Sequence, residues 1–156
     1  MKNSVFDKNI NVEFPDDFYK MSEEENGKFF GGDMLRFGAR NVEKHVILSL
    51  GKTNKSFMNL FASPKSVLVG AENNLKKNLK DYQRLEEFEV ELLTKPGIGI
   101  SFEYSAIDKD VKQFCEMTVT KYKNNFYVTY CLSRLEDRKE NKEIFKEFRN
   151  SLKVSQ

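Results

Sequence analysis

The sequence is poor in the residues that build metal sites and nucleophilic centres, with one histidine and two cysteines among 156 residues. Transition metals are held by clusters of histidine and cysteine, so these counts exclude a multi-histidine or cysteine-rich metal site. Serine and cysteine nucleophiles usually need a histidine base, and no nucleophile-elbow pattern occurs. We therefore expect no catalytic residue, no metal and no cofactor, and we predict that the chain is not an enzyme.

Long apolar stretches are also absent. No segment approaches the roughly 18 apolar residues that a membrane-spanning helix requires, and no apolar run follows Lys2 as in a secretory signal. If the chain is complete, these absences predict a cytoplasmic protein without a membrane span. An excess of one charge is lacking as well, because 26 basic residues face 24 acidic ones and the net charge is +2. Such a balance does not indicate a nucleic-acid partner.

Aromatic residues, by contrast, are abundant. The chain contains 14 phenylalanines and 6 tyrosines, and aromatic residues make up 13% of it. Disordered chains lack this aromatic content, so the composition indicates a folded protein. The length suits one domain, which we predict to span residues 1–156.

Alternation of hydrophobic and polar residues predicts a series of strands. The clearest run covers 98–106, where large apolar and aromatic residues alternate with glycine, serine and glutamate. Turn-forming residues separate the runs, and tight turns between consecutive strands favour antiparallel pairing. The predicted strands lie at 5–6, 10–14, 28–30, 34–37, 45–50, 86–93, 98–106, 111–122 and 126–133. The predicted turns or breaks lie at 7–9, 31–33, 96–97, 108–110 and 124–125.

Two amphipathic helices are also predicted. Ser63-Pro64 suits a helix start, with serine as the cap and proline at the first position. Apolar residues then recur every four positions, and Glu72 is assigned with several lysines to the solvent side. A closing helix is predicted at about 140–152. The other segments are one or two helical turns at 56–61 and a solvated loop at 16–27. This order of elements predicts an α+β domain built on an antiparallel sheet.

The last predicted hairpin decides what the two cysteines can do. In its predicted register Cys131 faces Thr118 and Cys115 faces Arg134. Because neighbouring residues of a strand alternate between faces, the two thiols point to opposite sides of the sheet. No disulfide can join them within one molecule, and we expect both to be buried and reduced.

One face of this hairpin is apolar throughout and is predicted to be core. The other face mixes polar and aromatic residues: Tyr122 and Tyr127 oppose each other near the predicted turn, and Phe114 lies farther along. Amphipathic aromatic residues are common in binding surfaces. We therefore take Phe114, Tyr122 and Tyr127 as a candidate protein-contact surface. The alternative is that this face lies under a helix, as in a three-layer sandwich.

Other short motifs have ordinary structural interpretations. His45 stands at the start of a predicted strand and is interpreted as structural. Gly51-Lys52-Thr53 resembles part of a phosphate loop, but Val46 stands where that loop needs another glycine. Alternating glutamates and the lysines of the middle helix are interpreted as solvated faces. They are Glu87, Glu89, Glu91, Lys76, Lys77 and Lys80.

Taken in order, five segments resemble the PsbP/Mog superfamily, including its bacterial DcrB-like branch. The segments read FDKNINVEFPDDFYKM, SPKSVLVGAENNLKKNL, GIGISFEYSA, EMTVTKYKNNFYVTY and NKEIFKEFRNSLKV. The resemblance covers nearly the whole chain and lies in order and spacing, not in a strict motif. It implies a central antiparallel β-sheet flanked by helices on both sides. It also implies a non-enzymatic protein that binds other macromolecules, as do a photosystem II extrinsic subunit, a nuclear-transport factor acting on Ran, cell-envelope proteins and effector-binding chaperones.

We therefore expect a non-enzymatic protein-binding module, an adaptor or chaperone-like factor whose protein partner is unknown. Such a module requires an exposed apolar and aromatic patch. The alternative is a small-molecule-binding domain, which requires a deep aromatic-lined pocket with convergent polar groups. An unpaired strand edge and phenylalanine-rich faces also make a homodimer a further prediction.

Overall fold

A sheet of seven antiparallel strands forms the middle layer of the structure. The computed structural model describes residues 2–6, 9–30, 34–53, 60–106 and 110–155, with only the backbone for 28–30. The strands are β1 (Lys2–Val5), β2 (Ile10–Glu13), β3 (Tyr19–Lys20), β4 (Leu35–Asn41), β5 (Val46–Lys52), β6 (Lys80–Leu92), β7 (Lys95–Ser105), β8 (Lys112–Tyr122), β9 (Asn125–Arg134) and β10 (Lys153–Val154). The helices are α1 (Glu23–Phe30), α2 (Pro64–Asn78) and α3 (Arg138–Asn150).

The large sheet has the strand order β3-β4-β5-β9-β8-β7-β6, and a small sheet has the order β1-β2-β10. Every pair of neighbouring strands is antiparallel. The interior position of β5, between β4 and β9, agrees with its mainly apolar sequence, in which every residue before Lys52 is buried. The prediction of an α+β fold with a central antiparallel sheet is confirmed.

Helix α2 covers one face of the large sheet. It begins as predicted: Ser63 Oγ accepts the Ser66 backbone N–H, Ser66 Oγ accepts the Ser63 backbone N–H, and Pro64 is the first helical residue. Leu68 is fully buried in the core beneath this helix. The buried residues of that core are Leu68, Ile100, Phe102, Cys115, Met117, Val119, Phe126 and Val128.

Helix α3 and the small sheet cover the opposite face. Phe148 of α3 stacks on Phe14 with ring centroids 5.4 Å apart, and Phe14 stacks on Phe37 of β4 at 5.6 Å. The core on this face includes Val5, Ile10, Val12, Phe14, Leu48, Leu50, Tyr127, Cys131, Phe145 and Phe148. Helices therefore flank the sheet on both sides, and the predicted sandwich of three layers is confirmed.

The predicted solvated loop at 16–27 is wrong, because β3 and the first part of α1 lie there. Ser22 and Glu25 start the helix. The Ser22 backbone N–H donates to Glu25 Oε1 at 3.2 Å, and the Glu25 backbone N–H donates to Ser22 Oγ at 3.1 Å. This is a capping box, and the Ser-x-x-Glu spacing that produces it is visible in the sequence.

The predicted hairpin between 28–30 and 34–37 is also wrong, since 28–30 is helical and β4 pairs with β3 and β5. Its predicted turn at 31–33 lies outside the described residues. The same holds for 7–8 in the predicted turn at 7–9, for 56–59 in the predicted helical turn and for 108–109 in the predicted turn before β8.

The turn between β6 and β7 lies at Leu93-Thr94, whose φ angles are 56° and 60°. The break predicted at Pro96-Gly97 is therefore wrong, and both residues lie inside β7. A two-residue turn with positive φ at both positions matches the twist of the strands that it joins. Proline is compatible with β7 at this position because the strand has only just begun.

The turn between β8 and β9 lies at Lys123-Asn124, one residue before the predicted position. The register is consequently shifted by two residues, so that Tyr122 faces Asn125 and Tyr127 faces Thr120. A shift of two leaves every side chain on its predicted face, because the side-chain period of a strand is two.

Two glycines of β7 leave room for side chains of β6. A Cβ atom on Gly99 would lie 2.5 Å from the ring of Phe88, and one on Gly97 would lie 2.7 Å from the carbonyl oxygen of Val119. The Phe88 ring can turn aside, whereas the Val119 carbonyl belongs to the neighbouring strand β8. Gly97 is therefore the less replaceable of the two.

We expect Gly97→Ala to lower the free energy of unfolding by about 1–3 kcal/mol, because the backbone of β8 must move to admit the methyl group. Urea denaturation measures this change. The matched control is Gly70→Ala in α2, where no atom lies within 4 Å of the added methyl group. That substitution should raise the stability by about 0.5–1 kcal/mol. A Gly97→Ala protein as stable as the wild type would contradict the expected clash.

Candidate functional site

The three residues predicted as a contact surface lie on the face covered by α3 and the small sheet. Phe114 is 8% exposed and stacks on Phe145 with ring centroids 6.5 Å apart. Tyr127 is 3% exposed, and its ring centroid lies 6.2 Å from that of Phe6. Tyr122 is half-buried. This face thus lies under a helix, and burial takes Phe114 and Tyr127 out of the accessible surface.

The two cysteines are free and fully buried, as expected from the sequence. They lie in the two different cores, Cys115 on the α2 side and Cys131 on the α3 side. Burial raises the pKa of Cys115, and it raises the pKa of Cys131 to about 12, against the opposing effect of Arg149. A buried thiol that stays protonated is a poor nucleophile.

The other reactive side chains are dispersed. His45 is exposed on the turn before β5, with a φ of 57°. In the part of the chain that the structure describes, no three histidine, cysteine, aspartate or glutamate side chains form a group that could hold a metal ion.

Within the described ranges no helix combines the length and the apolar character needed to cross a membrane.

A buried carboxylate joins α2 to the edge strand β6. Glu72 is 5% exposed and accepts hydrogen bonds from Arg84 Nη2 at 2.6 Å, from Arg84 Nε at 2.8 Å and from the Tyr82 hydroxyl at 2.8 Å. The Arg84 guanidinium lowers the pKa of Glu72, and burial acts in the opposite direction. The assignment of Glu72 to the solvent side is wrong. Its position four residues after Leu68 puts it on the buried stripe of α2, and this spacing was the available signal.

Two aliphatic side chains are exposed beside this junction. Leu85 is 40% exposed and is the extra residue of a β-bulge, because Arg84 and Glu86 pair with consecutive residues of β7. Val69 is 41% exposed and lies on α2 one turn before Glu72. Bulges commonly redirect a side chain at the edge of a sheet. No feature of the sequence pattern predicts this bulge.

Glutamates continue along the same strand. Glu87 is 3.3 Å from Arg84 and 3.6 Å from Lys65 of α2, measured between the charged atoms. Glu86, Glu89 and Glu91 are exposed, and no ion pair among the described residues includes them. The predicted solvated face of β6, formed by Glu87, Glu89 and Glu91, is confirmed. Only the first of these glutamates has ion-pair partners among the described residues. We define the α2–β6 surface as Val69, Leu85, Glu89 and Glu91.

A cleft of about 540 Å³ lies beside β4, near the opposite edge of the sheet. Its walls combine charged, polar and apolar side chains, including Lys20, whose ammonium lies 4.9 Å from the centroid of the Phe37 ring. Asn26 Nδ2 donates to the Ser22 carbonyl at 3.0 Å, and Asn26 Oδ1 is buried with no hydrogen-bond partner among the residues that the structure describes. The cleft is large enough for a small molecule. One buried acceptor does not specify a class of ligand.

Comparison with known proteins identifies the fold. No protein-family model and no curated protein matches the sequence. Among solved structures, cyanobacterial PsbP (CyanoP) from Synechocystis sp. PCC 6803 matches with a TM-score of 0.67 and 14% identity, over 99% of this chain and 92% of that one. The Ran-binding protein Mog1p of Saccharomyces cerevisiae matches with a TM-score of 0.64 and 9% identity, over 99% and 94%.

A third solved structure is that of LpqN, a protein involved in cell envelope biogenesis of Mycobacterium tuberculosis. It matches with a TM-score of 0.55 and 15% identity, over 94% of this chain and 83% of that one. At such identities the likeness concerns the fold. The chain has a PsbP/Mog-like fold, as its segments suggested, and the DcrB-like branch stays a prediction.

We expect Glu72→Gln to lower the free energy of unfolding by about 1–3 kcal/mol at pH 7, because the hydrogen bonds that the buried residue 72 accepts from Arg84 lose their charged acceptor. The pKa of Glu72 lies below its ordinary value of 4.5 in the folded state. Its stabilising contribution is therefore present above that value and is lost as the pH falls through the lower, folded pKa. Urea denaturation of both proteins from pH 7 downward should show the difference shrinking below about pH 4.5.

The control is Glu89→Gln, which removes an exposed carboxylate of the same strand and should change the stability by less than about 0.5 kcal/mol. A difference between wild type and Glu72→Gln that does not depend on pH would contradict the assigned role of the Glu72 charge.

We expect neither cysteine of the native protein to react with iodoacetamide, because both thiols are buried and protonated near neutral pH. Mass spectrometry after labelling should find no adduct in buffer and two adducts in concentrated urea. Labelling of Cys115 or Cys131 at the rate of a free thiol in buffer would contradict the described packing.

Proposed function

We propose that this chain is a non-enzymatic protein-binding module, acting as an adaptor or chaperone-like factor, and that the α2–β6 surface contacts its partner. One observation carries the proposal. At an open edge of the sheet, Val69 and Leu85 are exposed beside the Glu72–Arg84 pair, and two glutamates of the same strand, Glu89 and Glu91, have no ion-pair partner in the described structure.

The physical chemistry of this surface suits recognition. Exposed aliphatic side chains gain free energy when a partner removes them from water. The glutamates nearby supply orientation and selectivity, because a partner of the wrong charge is repelled. The ion pair between the buried Glu72 and Arg84 joins α2 and β6 directly, so the surface is held in place before binding and loses less conformational entropy.

The comparisons support a binding role at the level of the fold. Mog1p is named as a Ran-binding protein, and it shares this fold. A shared fold does not transfer a particular partner, so we carry over protein binding and leave the partner open.

Two further parts of the proposal rest on the cysteines. Their burial in separate cores supports a non-enzymatic role, because neither thiol is accessible to a substrate. Both cysteines are free thiols, and we propose a cytoplasmic location because thiols stay reduced there.

A photo-crosslinking amino acid at position 85 tests the proposal in native lysate. We expect a discrete protein adduct that excess unmodified protein suppresses. The matched control places the same amino acid at Val42, which is 51% exposed in the turn between β4 and β5. That position should give no such adduct. Val69→Lys should weaken binding of the purified adduct partner by about tenfold. Equal adducts from positions 85 and 42, or none from either, would contradict the proposal.

A further inference from the structure

Strand β6 is the outermost strand of the large sheet. It has β7 on one side and no strand of the described structure on the other. Backbone N–H and C=O groups on the open side of such a strand have no ladder partner, which makes an edge strand a template for pairing with another chain.

The two halves of β6 differ in their ability to accept a new strand. Register shifts interrupt the pairing between Lys80 and Gln83 and between Arg84 and Glu86. From Glu86 to Leu92 each residue pairs with the next residue of β7 without interruption. Because bulges bend a strand and disrupt its ladder, the bulged half is less suited to strand addition than the regular half, 86–92.

The side chains of this regular half separate by chemistry between its two faces. Glu87, Glu89 and Glu91 lie on the side of α2, where Lys65 approaches Glu87. Phe88 and Val90 lie on the other side and are half-buried, and Val90 packs against the core beneath α3. Glu86 begins the second face, because it lies two residues before Phe88 on the same side of the strand. From 87 to 91 an added strand therefore meets a row of carboxylates on one face and apolar groups on the other.

A second copy of this chain is a poor occupant. Antiparallel pairing of two β6 strands centred on Glu89 would place Glu89 opposite its own copy and Glu87 opposite Glu91. Like charges directly opposite each other destabilise a strand pair. The same charges admit a strand of the opposite sign, so the edge selects among partners.

We propose that residues 86–92 bind an extended segment of the partner in which basic residues alternate with apolar residues, as an added strand of the sheet. Its lysine or arginine side chains lie beside Glu89 and Glu91, and its apolar side chains lie beside Phe88 and Val90. This inference rests on the proposed function and specifies the chemistry of the partner.

The probe is a synthetic peptide in which lysine alternates with valine, added to the isotope-labelled full chain. We expect amide exchange to slow at alternate residues of 86–92, with chemical-shift changes centred on β6. Glu89→Lys should weaken binding by about tenfold, because an attraction is replaced by a repulsion. The matched control is Glu143→Lys on the exposed side of α3, which makes the same charge change and should leave binding unchanged.

Three further peptides separate strand pairing from plain charge attraction. N-methylation of the amides along one edge should abolish binding, because it removes hydrogen-bond donors and keeps the charge. Replacing valine by serine should weaken binding, because the contact with Phe88 and Val90 is lost. Replacing lysine by glutamate should abolish binding to the wild type and restore it to Glu89→Lys.

Failure of the two proposals can be told apart. No binding at millimolar peptide, full binding of the N-methylated peptide or no effect of Glu89→Lys would overturn strand addition. If a partner still crosslinks at position 85, protein binding stands and uses the aliphatic part of the surface. If no partner crosslinks at position 85, the proposed function fails even where the peptide binds.

Discussion

The hairpin of β8 and β9 is buried on both faces, and the rest of the structure is arranged to cover it. Every residue from 114 to 120 is buried, although only alternate ones share a face. Each face therefore needs its own layer, and α2 supplies one while α3 and the small sheet supply the other. The polar side chains buried in the hairpin also need hydrogen-bond partners. Thr118 and Thr129 face each other across it and share a hydrogen bond.

An arginine–carboxylate pair connects each helical layer to the sheet. On one face Glu72 of α2 meets Arg84 of β6, and on the other Arg149 of α3 meets Glu116 of β8 at 3.1 Å. Such pairs contribute modest net stability, since desolvation offsets much of the attraction. They do restrict the position of the helix on the sheet. An apolar interface allows a helix to slide, but sliding here would separate the ion pair and leave a buried charge without its partner. Each pair therefore helps to fix one helix, α2 or α3, in its position on the sheet.

The covered faces leave the edges of the sheet as the places where other chains can be met. At the β4 edge, β3 and a cleft with mixed lining occupy the available surface. At the β6 edge, the negative charges and the bulge disfavour pairing with a second copy of the strand. The regular half of β6 has no neighbouring strand in the described structure on its outer side. The same row of negative charges prevents pairing with a second copy and favours a positively charged strand, because like charges repel and opposite charges attract.

Local pattern determined the elements that depend on close neighbours in the chain: the serine cap and proline of α2, the period-two strands, and the opposite faces of Cys115 and Cys131. These survive even a register shift of two residues, because faces repeat with that same period. Tertiary structure determined which of the side chains that the sequence pattern assigns to the surface are buried. Phe114 is covered by Phe145 of α3, and Tyr127 by Phe6, which follows β1; both partners come from distant parts of the sequence. The helical spacing from Leu68 indicates that Glu72 faces the sheet, whereas the charged partner that it finds there, Arg84, belongs to another element. Such contacts depend on how layers meet, and no window of neighbouring residues contains that information.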